Sequence, residues 1–201
     1  MSRPVPPVAI LIAHRVSDYT VWKKAFDAHQ TARQEAGCLG HHINRGADDP
    51  GMVYIYSPAT DAGKLRAFVG NPDLARVMKE AGVQGPPTIT LMTPMSADFI
   101  PDRKLPGIIV SQDVRDYDAW RAVYDGLDGY RKQNGIVGHA VNQELGTPNR
   151  VIVYHQAEEQ GTLRAFVAST ELKAAMQRGG VAGRPDIQFV QVADFADYQA
   201  G

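Results

Sequence analysis

Val16-Ser-Asp-Tyr-Thr-Val-Trp22 and Val114-Arg-Asp-Tyr-Asp-Ala-Trp120 are one phrase written twice, 98 residues apart. The offset holds without a gap from Val16–Ile89 onto Val114–Ile187, with about one position in three identical. Leu65-Arg-Ala-Phe-Val69 returns as Leu163-Arg-Ala-Phe-Val167. Gly37, Gly40 and His41 return as Gly135, Gly138 and His139, and Gly82-Val83, Gly85 and Pro87 as Gly180-Val181, Gly183 and Pro185. Identity spread over the whole length reads as a duplication. A unit of this length, present twice, is a small domain rather than a solenoid repeat. The boundaries expected are a first unit over 1–93, a linker over 94–106 marked by Pro94, Pro101 and Pro106, and a second unit over 107–201.

Within one unit, Val8–Ala13 is a short β-branched apolar run and predicts a strand. Ser17 or Asp18 offers an N-cap. From Tyr19 the period becomes helical: Tyr19, Trp22, Phe26, His29 and Arg33 fall on one face, and Gly37 is a C-cap candidate. His41–Arg45 and Met52–Ser57 predict strands around the turn at Asp48-Asp-Pro-Gly51. Asp61–Gly70 is anchored by Leu65 and Phe68, Asn71-Pro72 restarts a helix as N-cap and N1, Gly82 ends it, and Thr88–Met92 closes the unit as a strand. The order β-α-β-β-α-β is ferredoxin-like. The fold class expected is α+β: two tandem ferredoxin-like units whose antiparallel sheets pack into an intramolecular α/β barrel, protecting the sheet edges.

Composition narrows the function classes. The chain has 201 residues, 44% hydrophobic and 21% charged, with a formal net charge of −1. That balance excludes an overall basic nucleic-acid binder and a disordered chain. No apolar run approaches the ~20 residues of a membrane span, and the proline-rich start at Met1–Pro7 lacks a signal-peptide cleavage pattern. The one cysteine, Cys38, excludes an intrachain disulfide and a multi-cysteine metal site. The expectation is a cytoplasmic protein that meets a small molecule rather than nucleic acid or membrane. It would be a monomer carrying its own pseudo-dimer, or a homodimer.

The series Asp-Tyr-x-x-Trp, Gly-x-x-Gly-His, Arg-Ala-Phe-Val and Gly-Val-x-Gly-x-Pro resembles the dimeric α/β-barrel superfamily, nearest to its antibiotic-biosynthesis-monooxygenase-like and cyclase-like members, over nearly the whole chain. Those are single units that dimerise. The resemblance implies cofactor-independent oxygenase, polyketide-cyclase-like, haem-handling or non-catalytic members, and fold analogy alone does not choose among them.

Strand alternation puts His41, Ile43 and Arg45 on one face of their strand and His42 and Asn44 on the other. The apolar set Ile43, Val53, Ile55, Ile89 and Leu91 suits the helix side, which points His41 at the stripe ending in His29 and Arg33. His41 or His29 is the candidate general base, and Arg33 the candidate to hold the anion. Tyr19, Trp22, Phe26 and Asn44, with His139, Trp120 and Arg131 of the second copy, are candidate ligand contacts. Each has a structural alternative: a backbone-bonded core histidine for His41 and His139, core packing for the tryptophans, a helix C-terminal charge for Arg33 and Arg131. Asp18 and Asp116 read as helix caps, and Cys38, opposite Ile136, as packing. His14, His29 and His42 correspond to Gln112, Leu127 and Ala140, so the first copy holds four of the six histidines. It is expected to keep the functional pocket, with the second copy as structural partner. No metal-ligand spacing is present, so no metal and no cofactor are expected, and no Cys-x-x-Cys-His haem attachment motif occurs. The functional readings are, in order, a small-molecule oxygenase or cyclase, a non-catalytic ligand-binding or stress-associated barrel protein, and a haem-handling protein.

Overall fold

A computed structural model describes residues 5–198. The first half runs β1 (Val8–Val16), α1 (Tyr19–Ala28), α2 (Gln30–Glu35), β2 (Gly40–Gly46), β3 (Met52–Ala59), α3 (Ala62–Val69), α4 (Pro72–Glu80) and β4 (Val83–Asp98). The second repeats it as β5 (Pro106–Val114), α5 (Tyr117–Gly126), α6 (Asp128–Gln133), β6 (Ile136–Glu144), β7 (Thr147–Ala157), α7 (Gln160–Ala168), α8 (Thr170–Arg178) and β8 (Val181–Asp197). All eight helices recur in register with the sequence offset. Hydrogen-bonded strand neighbours run β4-β1-β3-β2-β8 around the first copy and β8-β5-β7-β6-β4 around the second, and the registered pairs are antiparallel. The fold is the α+β arrangement that the repeat implied. Part of the N-terminal stretch read for a signal peptide, Met1–Pro4, lies outside the described residues. No described helix is long and apolar enough to cross a membrane.

The chain divides into two compact units, and the division does not fall where the repeat ends. Pro6–Met92 group with the tail from Val192, while Thr93–Gln191 form the other unit. The long strands β4 and β8 are therefore each shared, their first parts in one unit and their last parts in the other. The expected linker is correspondingly shorter, because Thr93–Asp98 continue β4.

Local chemistry explains the elements. Asp18 caps α1 by accepting from the Val21 amide at 3.0 Å, and Asp116 caps α5 from Ala119 at 2.8 Å. Asn71 caps α4, with Pro72 at its first turn. The one long helix expected from the Tyr19–Arg33 stripe is two helices broken at His29 (φ −99°, ψ 19°), and Leu127 breaks the second copy in the same place. β4 starts at Val83 rather than Thr88, because a bulge between Ala13 and Arg15 of its neighbour absorbs Gly85-Pro86-Pro87. Gly85 supplies the positive φ of 72° there, and prolines are tolerated in strands at such bulges. Ile43, Val53 and Ile55 do pack with Trp22, as their alternation required, but Ile89 is exposed on β4.

The recurring Gly-x-x-Gly-His has a steric reason. A Cβ on Gly40 would lie 2.4 Å from the Ala196 carbonyl oxygen, and one on Gly138 would lie 2.8 Å from the Phe99 Cα. Each glycine lets the terminal part of a long strand pass against the start of β2 or β6, beside the histidine that follows. Gly40→Ala should therefore destabilise by about 1–3 kcal/mol. Gly126→Ala, at a helical position where a Cβ meets nothing within 4 Å, should instead stabilise by about 0.5 kcal/mol. Urea unfolding of the two variants checks both signs.

Candidate functional site

In the first unit a cavity of about 670 Å³, counted out to its open mouth, lies between one face of β1 and β3 and helices α1, α3 and α4. Its walls are apolar: Ile10, Ile12 and Ile55 from the sheet, Trp22 and Phe26 from α1, Leu65 and Phe68 from α3, and Leu74, Val77 and Met78 from α4. Five polar or ionisable side chains interrupt them: His14, His29, Arg33, Cys38 and Ser57. Burial raises the Cys38 thiol pKa to about 11, so it is a packing group and not a thiolate nucleophile.

His14 follows Ile10 and Ile12 at the strand period and so shares their face. It is buried, edge-on to Trp22 at 5.5 Å between ring centroids, and neither ring nitrogen has a partner among the described residues. Burial lowers its pKa to about 4, which leaves a neutral imidazole at pH 7. His29, at the break after α1, sets Nδ1 2.8 Å from the Ala25 carbonyl oxygen. A carbonyl only accepts, so Nδ1 carries the proton and the Nε2 lone pair is left to act as a base.

Arg33 is buried. Its Nη1 donates to the Phe26 carbonyl at the end of α1, which also accepts from the His29 amide; its guanidinium carbon lies 3.6 Å from the centre of the Phe26 ring, and its Nε donates to the Tyr198 hydroxyl at 2.8 Å. Nη2 is buried without a partner, and no carboxylate among the described residues pairs with this guanidinium. The network continues through His41. Nδ1 lies 2.8 Å from the Tyr198 hydroxyl and Nε2 lies 3.2 Å from Asp194 Oδ2. Asp194 is also held by Lys23 at 2.8 Å, and these two partners keep its carboxyl pKa low against the opposing effect of burial. The carboxylate fixes the proton on His41 Nε2. Nδ1 then accepts from Tyr198, whose oxygen accepts from Arg33. Burial lowers the His41 pKa, with Asp194 opposing.

The placements sort the sequence candidates. His29, Arg33, Trp22 and Phe26 meet at the cavity. His41 faces the Phe26 ring edge-on at 5.0 Å, as its strand face required, but it lies outside the cavity lining, with its two nitrogens against Tyr198 and Asp194. Tyr19 is also outside the lining, against Trp22 with the Arg45 guanidinium over its ring, and Asn44 is buried elsewhere on β2. Sequence reasoning missed His14 and Ser57 as cavity residues, and Asp194 and Tyr198 altogether. The period from Ile10 and Ile12 would have found His14; Asp194 and Tyr198 lie past the end of the matched repeat. The second unit is more than scaffold in shape: it too has a cavity, about 650 Å³, lined by Trp120, Tyr124, Arg131 and His155, with His139 behind Tyr124. Among the described residues no group of three or more His, Cys, Asp or Glu side chains is placed to hold a metal ion.

The comparison with solved structures agrees with the fold. A "putative monooxygenase" from Fusobacterium nucleatum superposes with a TM-score of 0.69 at 12% identity, over 98% of this chain and 96% of that one. The chain has the fold of the monooxygenase-like ferredoxin-fold proteins. An anthrone oxidase-like protein gives 0.68 at 15% identity over 98% and 95%. A Listeria monocytogenes ferredoxin-fold protein related to antibiotic biosynthesis monooxygenases gives 0.57 at 6% over 94% and 96%. No family model and no curated protein matches the chain.

A pH dependence follows from His14. Its folded pKa is depressed below the ordinary 6.5, so the native state binds fewer protons than the unfolded chain. Stability is full above pH 6.5 and is lost as the pH falls toward 4. At pH 5 this histidine costs about 2 kcal/mol relative to pH 8. Replacing it by phenylalanine should shrink the difference in urea unfolding free energy between those pH values by about that amount; an undiminished difference would contradict its burial as a neutral imidazole.

Proposed function

We propose that the first-unit cavity binds a flat aromatic or enolisable molecule and ionises it, as a cofactor-independent oxygenase or oxidase does. One observation carries the reading: in a mostly apolar cavity, both nitrogens of His14 and Nη2 of Arg33 are buried with no partner among the described residues. Buried polar groups are ordinarily paired, and leaving one unpaired costs about 1–3 kcal/mol. A ligand oxygen would satisfy them.

The roles follow from the tautomers and charges. His29 Nε2 takes the proton of a phenol, or of a carbon beside a carbonyl. Arg33, a buried cation with no carboxylate pair among the described residues, faces the resulting oxyanion and lowers its energy in a mostly apolar site. His14 remains neutral and orients the substrate by one hydrogen bond. The Tyr198–His41–Asp194 chain fixes the Arg33 fork. An electron-rich aromatic anion so formed reacts with dioxygen without flavin or metal, and the same base also suits a cyclisation or isomerisation.

The name of one fold neighbour, anthrone oxidase-like, suggests the probe. Metal-free protein should show anthrone-dependent oxygen uptake, and His29→Ala and Arg33→Met should each lower kcat/KM by about 10²-fold or more. Unchanged kcat/KM in folded His29→Ala would remove His29 as the base, and absence of both binding and uptake with ionisable aromatics would remove the reading.

A further inference from the structure

The second cavity has its own set of unsatisfied polar atoms. His155 Nδ1, Gln112 Oε1 and Arg131 Nε have no partner among the described residues, and the three side chains are only 6%, 5% and 3% exposed. All three line the cavity. They stand at the positions of Ser57, His14 and Arg33 in the repeat, so two of the three have changed chemistry between the copies.

The hydrogen-bond directions set what is missing. His139 Nε2 lies 4.0 Å from the Asp128 carboxylate, which favours the proton on that nitrogen and leaves Nδ1 to accept from the Tyr124 hydroxyl at 3.1 Å. The Tyr124 oxygen then accepts from His155 Nε2–H, at 3.4 Å, and His155 Nδ1 is left as a bare acceptor. Gln112 Oε1 is a second acceptor. Arg131 Nε–H is a donor, but this guanidinium differs from Arg33 in having a carboxylate, Asp128, 3.5 Å away. Burial lowers the pKa of His155 to about 3 and also depresses that of His139, so both rings are neutral near pH 7. The site thus offers two acceptors, one donor and a compensated charge.

We infer that the second cavity is a separate ligand site, selective for a neutral aromatic molecule that carries a hydroxyl group. Trp120, Tyr124 and Phe166 supply the ring walls. The hydroxyl hydrogen goes to His155 Nδ1 or Gln112 Oε1, and its oxygen accepts from Arg131 Nε. An anion gains little beside the Asp128-paired arginine and is repelled by the acceptors, so the two cavities sort ligands by charge.

The chain contains two tryptophans, one in each cavity, and their indole N–H resonances in a ¹⁵N-labelled sample report the cavities separately. Trp22→Phe and Trp120→Phe assign the two peaks. The probes are 4-ethylphenol, ethylbenzene and 4-ethylbenzoate at pH 7, added to the full-length protein. The Trp120 peak should shift saturably with 4-ethylphenol, about tenfold more tightly than with ethylbenzene or 4-ethylbenzoate. Gln112→Leu and His155→Phe should each erase that preference while ethylbenzene still binds. Equal affinity of the wild type for phenol and ethylbenzene would overturn the inference by showing an apolar void. So would a response confined to Trp22, which leaves the reading of the first cavity intact. The wild-type comparison needs no variant to fold.

Discussion

Everything at the first-unit site hangs on the guanidinium of Arg33. One nitrogen donates to the Phe26 carbonyl where α1 ends, the next holds the Tyr198 hydroxyl, the plane covers the Phe26 ring, and the last nitrogen has no partner among the described residues. A buried cation needs compensation. Here it comes from a carbonyl, a phenol and a ring face, none of which carries a negative charge. On the reading proposed above such a site suits an anion, and the helix break at His29 that leaves the Phe26 carbonyl within reach of Arg33 also places the imidazole proposed as the base. Arg131 repeats the cap on Tyr124 at 2.6 Å, but Asp128 supplies the missing charge.

One frame thus carries two sets of polar partners. The hydroxyl that addresses the strand histidine comes from different elements. In the first unit it is Tyr198, beyond the end of β8, and Phe26 on α1 has none. In the second it is Tyr124 on α5, and the position matching Tyr198 is Ile100. The hydroxyl sits behind the cavity in one unit and in its lining in the other. Because the tail that completes the first-unit network, Asp194 and Tyr198, is compact with that unit although it follows the second copy in sequence, the two ends of the chain build one site.

The fold was legible because the repeat averages out local ambiguity: caps at Asp18 and Asp116, strands at the period of two, and glycines at fixed offsets all appear twice. The helix break at His29 was hidden because the stripe Tyr19–Arg33 keeps its period through a single residue with near-helical angles. The true start of β4 was hidden by Pro86 and Pro87, whose tolerance depends on a bulge defined by the neighbouring strand. His29, Arg33, Trp22 and Phe26 were readable as one face. Asp194 and Tyr198 were not, since their role depends on which unit the last strand joins, a tertiary fact that no local pattern encodes. The alternation of β2 shows His41 facing the helix, but its tautomer is set by the same two distant residues.

On the proposed reading, the Arg33 cation, with no carboxylate partner among the described residues, stabilises an aromatic oxyanion in the first-unit cavity. The most direct measurement is the ionisation of 4-nitrophenol bound to the protein, followed by the visible absorption of its anion, with Trp22 confirming where it binds. The bound phenol should ionise about one pH unit or more below the free compound. Ionisation of the bound phenol at the same pH as in solution, or above it, would rule out Arg33 as the group that holds the anion.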